Sequence, residues 1–305
     1  MEKTIDQLLK IVADIPDHLT GAYNIRLNGK SAGRENTENV TIQSKENGSG
    51  IDVFVKANTK GEKIYIPVAI NSSGLDDTVY NDFFIGENAH VEIIAGCGIH
   101  NDGCADTRHN GIHSFFVGEN AKVTYVEKHY GEGIGTGERT LDPETVIHLE
   151  KGSRLEMESV QIKGVDSTKR VTKAEIGEEA TLVIKEIILT DGVQEAVTDF
   201  YVDLNGKNSG VTLSSRSVAK GDSKQVFYSV INGNNACNGH SECDAIIMDN
   251  ACVKAVPDVT ANHVDAALIH EAAIGKIAGE QIVKLMTLGM TEEEAEKEII
   301  AGFLQ

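Results

Sequence analysis

The segment Phe84-Ile-Gly-Glu-Asn-Ala-His-Val91 returns as Phe116-Val-Gly-Glu-Asn-Ala-Lys-Val123, a step of 32 residues with the same Gly-Glu-Asn-Ala centre. Self-similarity at a fixed period is the signature of a repeat architecture, in which each unit buries its apolar face only by stacking on the next. Weaker copies follow at Leu149-Glu-Lys-Gly-Ser-Arg-Leu155, Ile176-Gly-Glu-Glu-Ala-Thr-Leu182 and Asp249-Asn-Ala-Cys-Val253. Each reads as a turn followed by a strand. The flanks Val91-Glu-Ile-Ile-Ala95, Leu155-Glu-Met-Glu-Ser-Val160 and Thr181 to Leu189 alternate or run apolar and are rich in β-branched residues, the pattern of strands. With 30 Gly and 4 Pro, the chain is expected to be mainly β, a right-handed parallel β-helix over residues 21 to 276. An antiparallel sandwich would not need near-identical turns at constant spacing. Whether one repeat is one coil or two stays open at this point.

The ends differ from the middle. Ile5, Leu8, Leu9 and Val12 share one face of a short N-terminal helix, within a segment 1 to 20. Beyond residue 276, Ile277, Gln281, Ile282, Leu285 and Met286 have helical spacing, and Gly289 is a stop. Thr291-Glu-Glu-Glu294 is a capping box that opens a second helix through Ile299, Ile300 and Phe303. Residues 277 to 305 are therefore expected to form a helical hairpin, read as a cap on the solenoid because solenoid ends must be covered.

Charge and composition narrow the partners. Against 28 Lys+Arg stand 47 Asp+Glu, a net charge of -19, which repels phosphate backbones and anionic lipid. Trp is absent and aromatics make up 5%, so stacking platforms for single strands or sugars are scarce. No nucleic acid and no membrane partner is expected, and the absence of an export signal or a long apolar run points to a cytoplasmic protein with its 5 Cys reduced or metal-bound. No Gly-x4-Gly-Lys-[Ser/Thr] loop occurs, so nucleotide hydrolysis is not expected of this chain.

Coordinating side chains concentrate in Cys97-Gly-Ile-His-Asn-Asp-Gly-Cys-Ala-Asp-Thr-Arg-His-Asn-Gly-Ile-His113. The spacing matches no standard Cys-x2-Cys zinc pair. Lying between two repeats, the stretch reads as an elaborated loop in which His100, Cys104, His109 and His113 form a candidate second metal site beside Cys97. Isolated histidines such as His129 and His148 carry no assigned role, and Cys252 reads equally well as a small buried hydrophobe.

A second group of chemical residues precedes the C-terminal helices. Ser215-Arg-Ser-Val-Ala-Lys-Gly221, Cys243-Asp-Ala245, His270-Glu-Ala-Ala273, Gly275-Lys-Ile277, Glu280-Gln281, Gly289, Glu292-Glu-Glu-Ala295 and Gly302-Phe-Leu304 together resemble the C-terminal part of the SufB/SufD family of iron-sulfur assembly scaffolds. The resemblance extends through Tyr65-Ile-Pro67, Phe83 to Gly96, Cys97 and His113 to cover about residues 50 to 305.

This resemblance implies a parallel β-helix with a helical C-terminal region, and it implies roles. Cys243 matches the cysteine at which the nascent cluster is built at a dimer interface, Glu271 its acidic partner, and His270 the histidine that the SufD-type partner contributes. Cys97 resembles the internal sulfur-accepting cysteine, whose sulfur passes through the β-helix. Metal ligands would then be Cys243, Glu271 and His270, holding a transient iron-sulfur cluster of the 4Fe-4S type. Thiolates suit cluster iron, and a His or carboxylate ligand leaves it more labile. The chain lacks the long members' N-terminal extension and carries Cys, Glu and His together. It therefore resembles the short SufB-like form, a homodimer through the β-helix that pairs with a SufC-like ABC ATPase through 277 to 305, a sulfur donor and apo-protein recipients. The rival readings are a β-helix metal-dependent hydrolase, a polysaccharide lyase and a purely structural solenoid.

Overall fold

Two parallel faces, each a 10-stranded sheet, run the length of the molecule. The computed structural model describes residues 3–13, 20–46 and 48–304. One face contains the strands Lys60–Ile70, His90–His100, Lys122–Glu132, Arg154–Lys163, Thr181–Thr190, Ser209–Ala219, Cys237–Ile247 and Ala266–Gly275, here called face A. The intervening strands, from Gly50–Val55 and Asp76–Ile85 to Lys224–Gly233 and Cys252–Ala261, form face B. The chain passes from face to face at every corner, so one sequence repeat is one coil of two strands. Phe84 pairs with Phe116, and Phe116 with His148, which puts the repeated motif directly above itself.

The Gly-Glu-Asn-Ala motif has a physical explanation at that corner. Asn58, Asn88, Asn120, Gly152, Glu179 and Asn208 form a column with φ between 55 and 67°, the left-handed region that Asn and Gly tolerate best. In this conformation each amide turns along the solenoid axis and donates to the carbonyl of the next coil, as from Asn88 to Glu119 at 2.8 Å and from Asn120 to Lys151 at 2.9 Å. A Cβ on Gly86 would lie 2.5 Å from the Ala57 backbone nitrogen, so the corner admits only Gly there. The following Ala89, Ala121 and Ala180 are fully buried, small enough to turn into the core. The copy at Asp249–Val253 belongs elsewhere: it turns from face A to face B, and the Asn250 amide donates to Gly221 at that opposite corner.

Alternation fills the lumen. Inward residues of the face A and face B strands build one apolar cluster, with Phe83 stacked on Phe115 at 4.6 Å and Tyr125 edge-on to Phe115 at 5.0 Å. Each such aliphatic or aromatic side chain contributes about 1.5–3 kcal/mol by leaving water. The coils shorten along the axis. The step from Phe84 to Phe116 to His148 is 32 residues, whereas Leu149 pairs with Ile176 only 27 later, because the inserted corners at residues 101 to 106 and 133 to 138 disappear. Those two corners hold each other through Gly135 to Asn101 and Gly137 to Gly103 backbone bonds, each 3.1 Å.

The two ends are unlike. At the N-terminal end Lys30–Glu35 and Val40–Ser44 add antiparallel edge strands to the two faces. Helix α1 (Lys3–Ala13) lies against the outside of face A with Leu8, Leu9 and Val12 buried on Ala69 and Tyr130. At the other end the last coil, Cys252–Ala261 and Ala266–Gly275, is largely exposed, including Val259, Val264 and Ile269. The expected helical cap is thus corrected. Helices α2 (Gly279–Thr287) and α3 (Glu292–Phe303) form with the predicted Thr291 capping box, but α3 lies along the corner. There Ile300 shares a cavity with Ile162, Leu189, Val218 and Met248, and Arg216 donates to the Phe303 carbonyl at 3.2 Å. The apolar side of α3 thereby covers the strand ends of four coils and leaves the terminal coil open.

The corner column yields a direct test. Replacing Asn120 (φ 55°) with Val should lower stability by about 1–2 kcal/mol in urea unfolding, because a β-branched residue pays the left-handed steric cost in full. Replacement with Gly should cost less than that.

Candidate functional site: a polar file inside the β-helix

One inward column of face A is not apolar. Strand register places Ala95, Glu127, Ser159, Glu186, Ser215, Cys243 and Ala272 one above another. The neighbouring column holds Cys97, His129 and Gln161. Glu127, His129, Glu186, Ser215, Cys97 and Cys243 are all buried. Buried charge needs partners, and face B supplies them across the lumen.

Arg170 is the central partner. Its guanidinium reaches Glu127 Oε2 at 3.2 Å, His129 Nδ1 at 2.9 Å, Glu186 Oε1 at 3.4 Å and the Ser159 hydroxyl. Its side chain is 7% exposed. Because a guanidinium only donates, His129 Nδ1 accepts and the ring is neutral, with its Nε2 proton directed at Glu127 Oε1, 3.6 Å away. Burial pushes the His129 pKa down in agreement. Burial works against ionisation of Glu127 as well, but the His129 N–H turned toward it and the Arg170 guanidinium outweigh it and hold its carboxyl well below the usual range. Glu186 is the reverse: burial prevails over Arg170 and over hydrogen bonds from Ser215 (2.9 Å) and Thr198 (3.0 Å), and its pKa is raised. One guanidinium thus faces one carboxylate that stays ionised and one that is pushed toward its neutral form.

The file continues from Glu127 toward the N-terminal coils. Tyr125 donates its hydroxyl proton to Glu127 at 3.0 Å, so His113 Nδ1 donates to Tyr125 at 2.8 Å, and His113 Nε2 lies 3.4 Å from the Asn81 amide. Burial lowers the His113 pKa to about 4. His109 Nδ1 meets Asp77 at 3.1 Å, and Arg26 forms a bidentate pair with the same carboxylate at 2.8 and 2.6 Å. Those bonds hold the Asp77 carboxyl below its usual range against the effect of burial. An unbroken set of polar contacts therefore runs from Asn81 through His113, Tyr125, Glu127, Arg170 and Glu186 to Ser215, the in-register neighbour of Cys243.

A cysteine sits near each end. Cys97, 3% exposed, lines a cavity of about 20 Å³ with His113, Glu127 and His129, large enough for a single water-sized species. Cys243 lines a cavity of about 10 Å³ with Glu186, Ser215 and Gln225. Burial, then Glu186 and Asp244, pushes the Cys243 pKa up to about 12. Burial, then Asp77 and Glu127, raises that of Cys97 well above its ordinary value. Both are thiols at neutral pH, and either needs a bound cation or a proton acceptor to become a thiolate ligand or nucleophile.

The residues predicted as sites are distributed as follows. His270 follows Cys243 on the next strand, paired with Ser241, and its Nδ1 is buried without a hydrogen-bond partner. Burial and His240 depress its pKa, so the ring keeps a free lone pair. Glu271 alternates to the outer face, opposite Glu242, where His240 Nε2 lies 3.3 Å from it. Within one chain Cys243 and His270 share the lumen side and Glu271 does not. The stretch from Cys97 to His113 is not a loop, since only residues 101 to 106 lie outside strands. Strand alternation separates the four residues grouped there as a second metal site. His109 and His113 face inward, His100 pairs outside with Asp102 (2.8 Å) and Glu132 (3.1 Å), and Cys104 is exposed. Among the described residues no group of three or more His, Cys, Asp or Glu is arranged to hold a metal ion. Cys252 is exposed.

Sequence reading left Glu127, His129, Arg170 and Glu186 without a role. The signal was present in alternation: in Leu182-Val-Ile-Lys-Glu-Ile-Ile188 the acidic Glu186 falls in phase with Leu182, Ile184 and Ile188, and a charge on the apolar phase of a strand marks a buried polar site.

Comparison with known proteins fits this architecture. The family model described as SUF system FeS cluster assembly, SufBD core domain, matches residues 75–303. An iron-sulfur cluster assembly SufBD family protein of Archaeoglobus fulgidus is 30% identical over 232 residues, covering 74% of this chain and 60% of the relative. One of Methanothermobacter thermautotrophicus strain Delta H is 30% identical over 236 residues, covering 74% and 55%. One of Pyrococcus horikoshii is 29% identical over 273 residues, covering 85% and 78%. The chain belongs to the SufBD family of iron-sulfur cluster assembly proteins. It spans about 60% of the length of the Archaeoglobus relative.

The buried histidines give the file a pH signature. In the unfolded chain His113 titrates near 6.5, and in the folded chain near 4, so unfolding takes up a proton between those values. Its contribution to stability is complete above pH 6.5 and is lost as pH falls toward 4. Urea unfolding should therefore show stability falling over that window, and His113→Gln should flatten the fall while lowering stability at pH 7.

Proposed function

We propose that this chain is a scaffold on which an iron-sulfur cluster is assembled as cargo, without nucleotide hydrolysis of its own. The observation that carries the reading is the buried polar file with Cys97 near one end and Cys243 at the other, beside an uncovered final coil. Cys97 accepts sulfur. Cys243 and His270 hold the nascent cluster from the lumen side, and Glu271 joins from the rim. Ser215 and Glu186 lie next to Cys243 and supply hydrogen-bonding and proton-accepting groups as its thiol is engaged. Soft thiolate with imidazole and carboxylate suits iron that must later be released.

A homodimer through the β-helix completes the site in this reading. The last coil leaves strand edges and the apolar Val259, Val264 and Ile269 exposed, and an edge of this kind pairs readily with a second copy. Twofold pairing there would place two Cys243 sites on either side of one junction. A SufC-like ABC ATPase supplies the energy by docking on the C-terminal helices. Helix α2 has no buried residue and exposes Val283 and Met286, which supports that surface as its seat. The protein is read as cytoplasmic, receiving sulfur from a donor and passing clusters of the 4Fe-4S type to apo-protein recipients. No helix of the described residues is long and apolar enough to cross a membrane.

Two experiments test these assignments. After anaerobic co-expression with the ATPase, iron and acid-labile sulfide should be present in the wild type and lost in Cys243→Ala. Equal content in both would remove Cys243 from the site. Deleting residues 279 to 305 should abolish co-purification with the ATPase while the solenoid stays folded by circular dichroism. Retained binding would move the dock to another surface.

A further inference from the structure

A row of rings stands on the solvent side of face B. Phe54, Phe84 and Phe116 occupy one outward column in register, and His148 continues it. Successive rings stack at centroid distances of 4.9, 5.1 and 5.3 Å, with interplanar angles of 10, 6 and 9°. The coil does not require rings at this position, because the same column goes on as Glu175, Asp203, Asn232 and Thr260. Phe54 and Phe116 remain 38% and 39% exposed, in a chain with only 8 Phe. Contiguous apolar surface left in water marks an interaction site.

The rings form one wall of a groove of about 350 Å³, with the corner backbone at Gly86 and Gly118 as its floor. A Cβ on Gly118 would lie 2.9 Å from the Ile85 carbonyl oxygen, so the floor stays bare. The corner tips beyond it carry the exposed Glu87 and Glu119, and Glu150 closes the end beside His148. None of these three carboxylates has an ion pair among the described residues, and the neighbouring Lys151 is taken by Glu178 at 2.9 Å. Lys56 belongs to the first coil, at the other end of the floor. From Phe54 to His148 there are three coil steps, about 14 Å, the reach of about four residues of extended chain. Unpaired carboxylates along an apolar wall complement a ligand that is basic and apolar at once. A second copy of this chain would bring the same carboxylates and a net charge of -19, and is disfavoured.

We propose that this groove is a docking surface for a short extended segment of a basic partner protein. Its aliphatic or aromatic side chains pack on Phe84 and Phe116, and its Lys or Arg side chains point to Glu87, Glu119 and Glu150. Apolar anchors in a groove supply affinity in such recognition, and the charges set orientation and on-rate. The groove lies on the coils around Cys97, away from α2, α3 and the final coil, so a segment seated here leaves those surfaces free. The inference uses none of the residues assigned to cluster assembly and stands or falls apart from that reading.

The test uses the full chain and a short synthetic peptide of alternating Lys and Leu with one Leu replaced by Trp. The chain has no Trp, so Trp emission reports the peptide alone. At about 0.15 M salt the peptide should bind with a blue-shifted emission. Phe84→Ser/Phe116→Ser should weaken binding about tenfold. Glu87→Gln/Glu119→Gln/Glu150→Gln should weaken it about fivefold and flatten its salt dependence. The same peptide with Glu in place of Lys should not bind. No binding of the Lys peptide would overturn the proposal, and so would equal affinity in the Phe variant, which would mean charge attraction to an acidic chain and no groove. Should the Phe variant not fold by circular dichroism, a photo-reactive diazirine on the peptide is used with the wild type. It should label residues 84 to 87 and 116 to 119, and labelling confined to other surfaces would overturn the proposal. A wild-type dimer in sedimentation that the Phe or Gln variant dissociates would overturn it in favour of a second copy as the occupant.

Discussion

In-register stacking is the constraint from which the rest of this molecule follows. Each coil puts a given position over the same position of the next, about 4.8 Å away, so side chains meet their own column above and below. The corner column shows the cost and the gain: six left-handed residues on successive coils, four of them Asn, are tolerated because each converts an otherwise orphaned amide into an inter-coil hydrogen bond. Phe83 over Phe115 and Phe84 over Phe116 show the same rule on the two sides of one strand. A residue type that suits one rung tends to suit the next, and repetition results.

The same rule makes departures informative. A column that holds Ala, Glu, Ser, Glu, Ser and Cys in succession cannot be sustained by the hydrophobic effect, and it persists only because Arg170 and the hydroxyls of Tyr125, Thr198 and Ser215 satisfy it. Replacing such a network with apolar residues is often neutral or stabilising. Its presence in the lumen of a SufBD family member therefore points to chemistry. The network also sets protonation: Glu127 ionised, His129 and His113 neutral, Cys97 and Cys243 as thiols. In that state both buried thiols stay unreactive until a cation or a proton acceptor reaches them.

Much of this was legible in the residues. The Gly-Glu-Asn-Ala repeat gave the solenoid, the spacing of Ile5, Leu8, Leu9 and Val12 gave the N-terminal helix, and the Thr291 capping box placed the start of α3. These are local signals, set by turn sterics and by side-chain period. The cysteine and histidine stretch misled for the opposite reason. Counted along the chain, His100, Cys104, His109 and His113 look like a cluster, but strand alternation sends His109 and His113 inward and leaves His100 outside with Asp102 and Glu132. The helical cap misled because helical periodicity identifies an apolar stripe without saying which of several apolar surfaces will cover it.

The sequence by itself determined the coil, its corners and the residues able to carry chemistry, because each depends on neighbours within a few positions. Only the tertiary structure decided that Glu127 and Arg170, 43 residues apart, share a hydrogen bond, that His129 belongs with Cys97, and that Glu271 lies on the other side of the wall from Cys243. Those facts depend on coil length. A corner that shortens the step from 32 to 27 residues resets which side chains face one another across the lumen, and no local pattern records that sum.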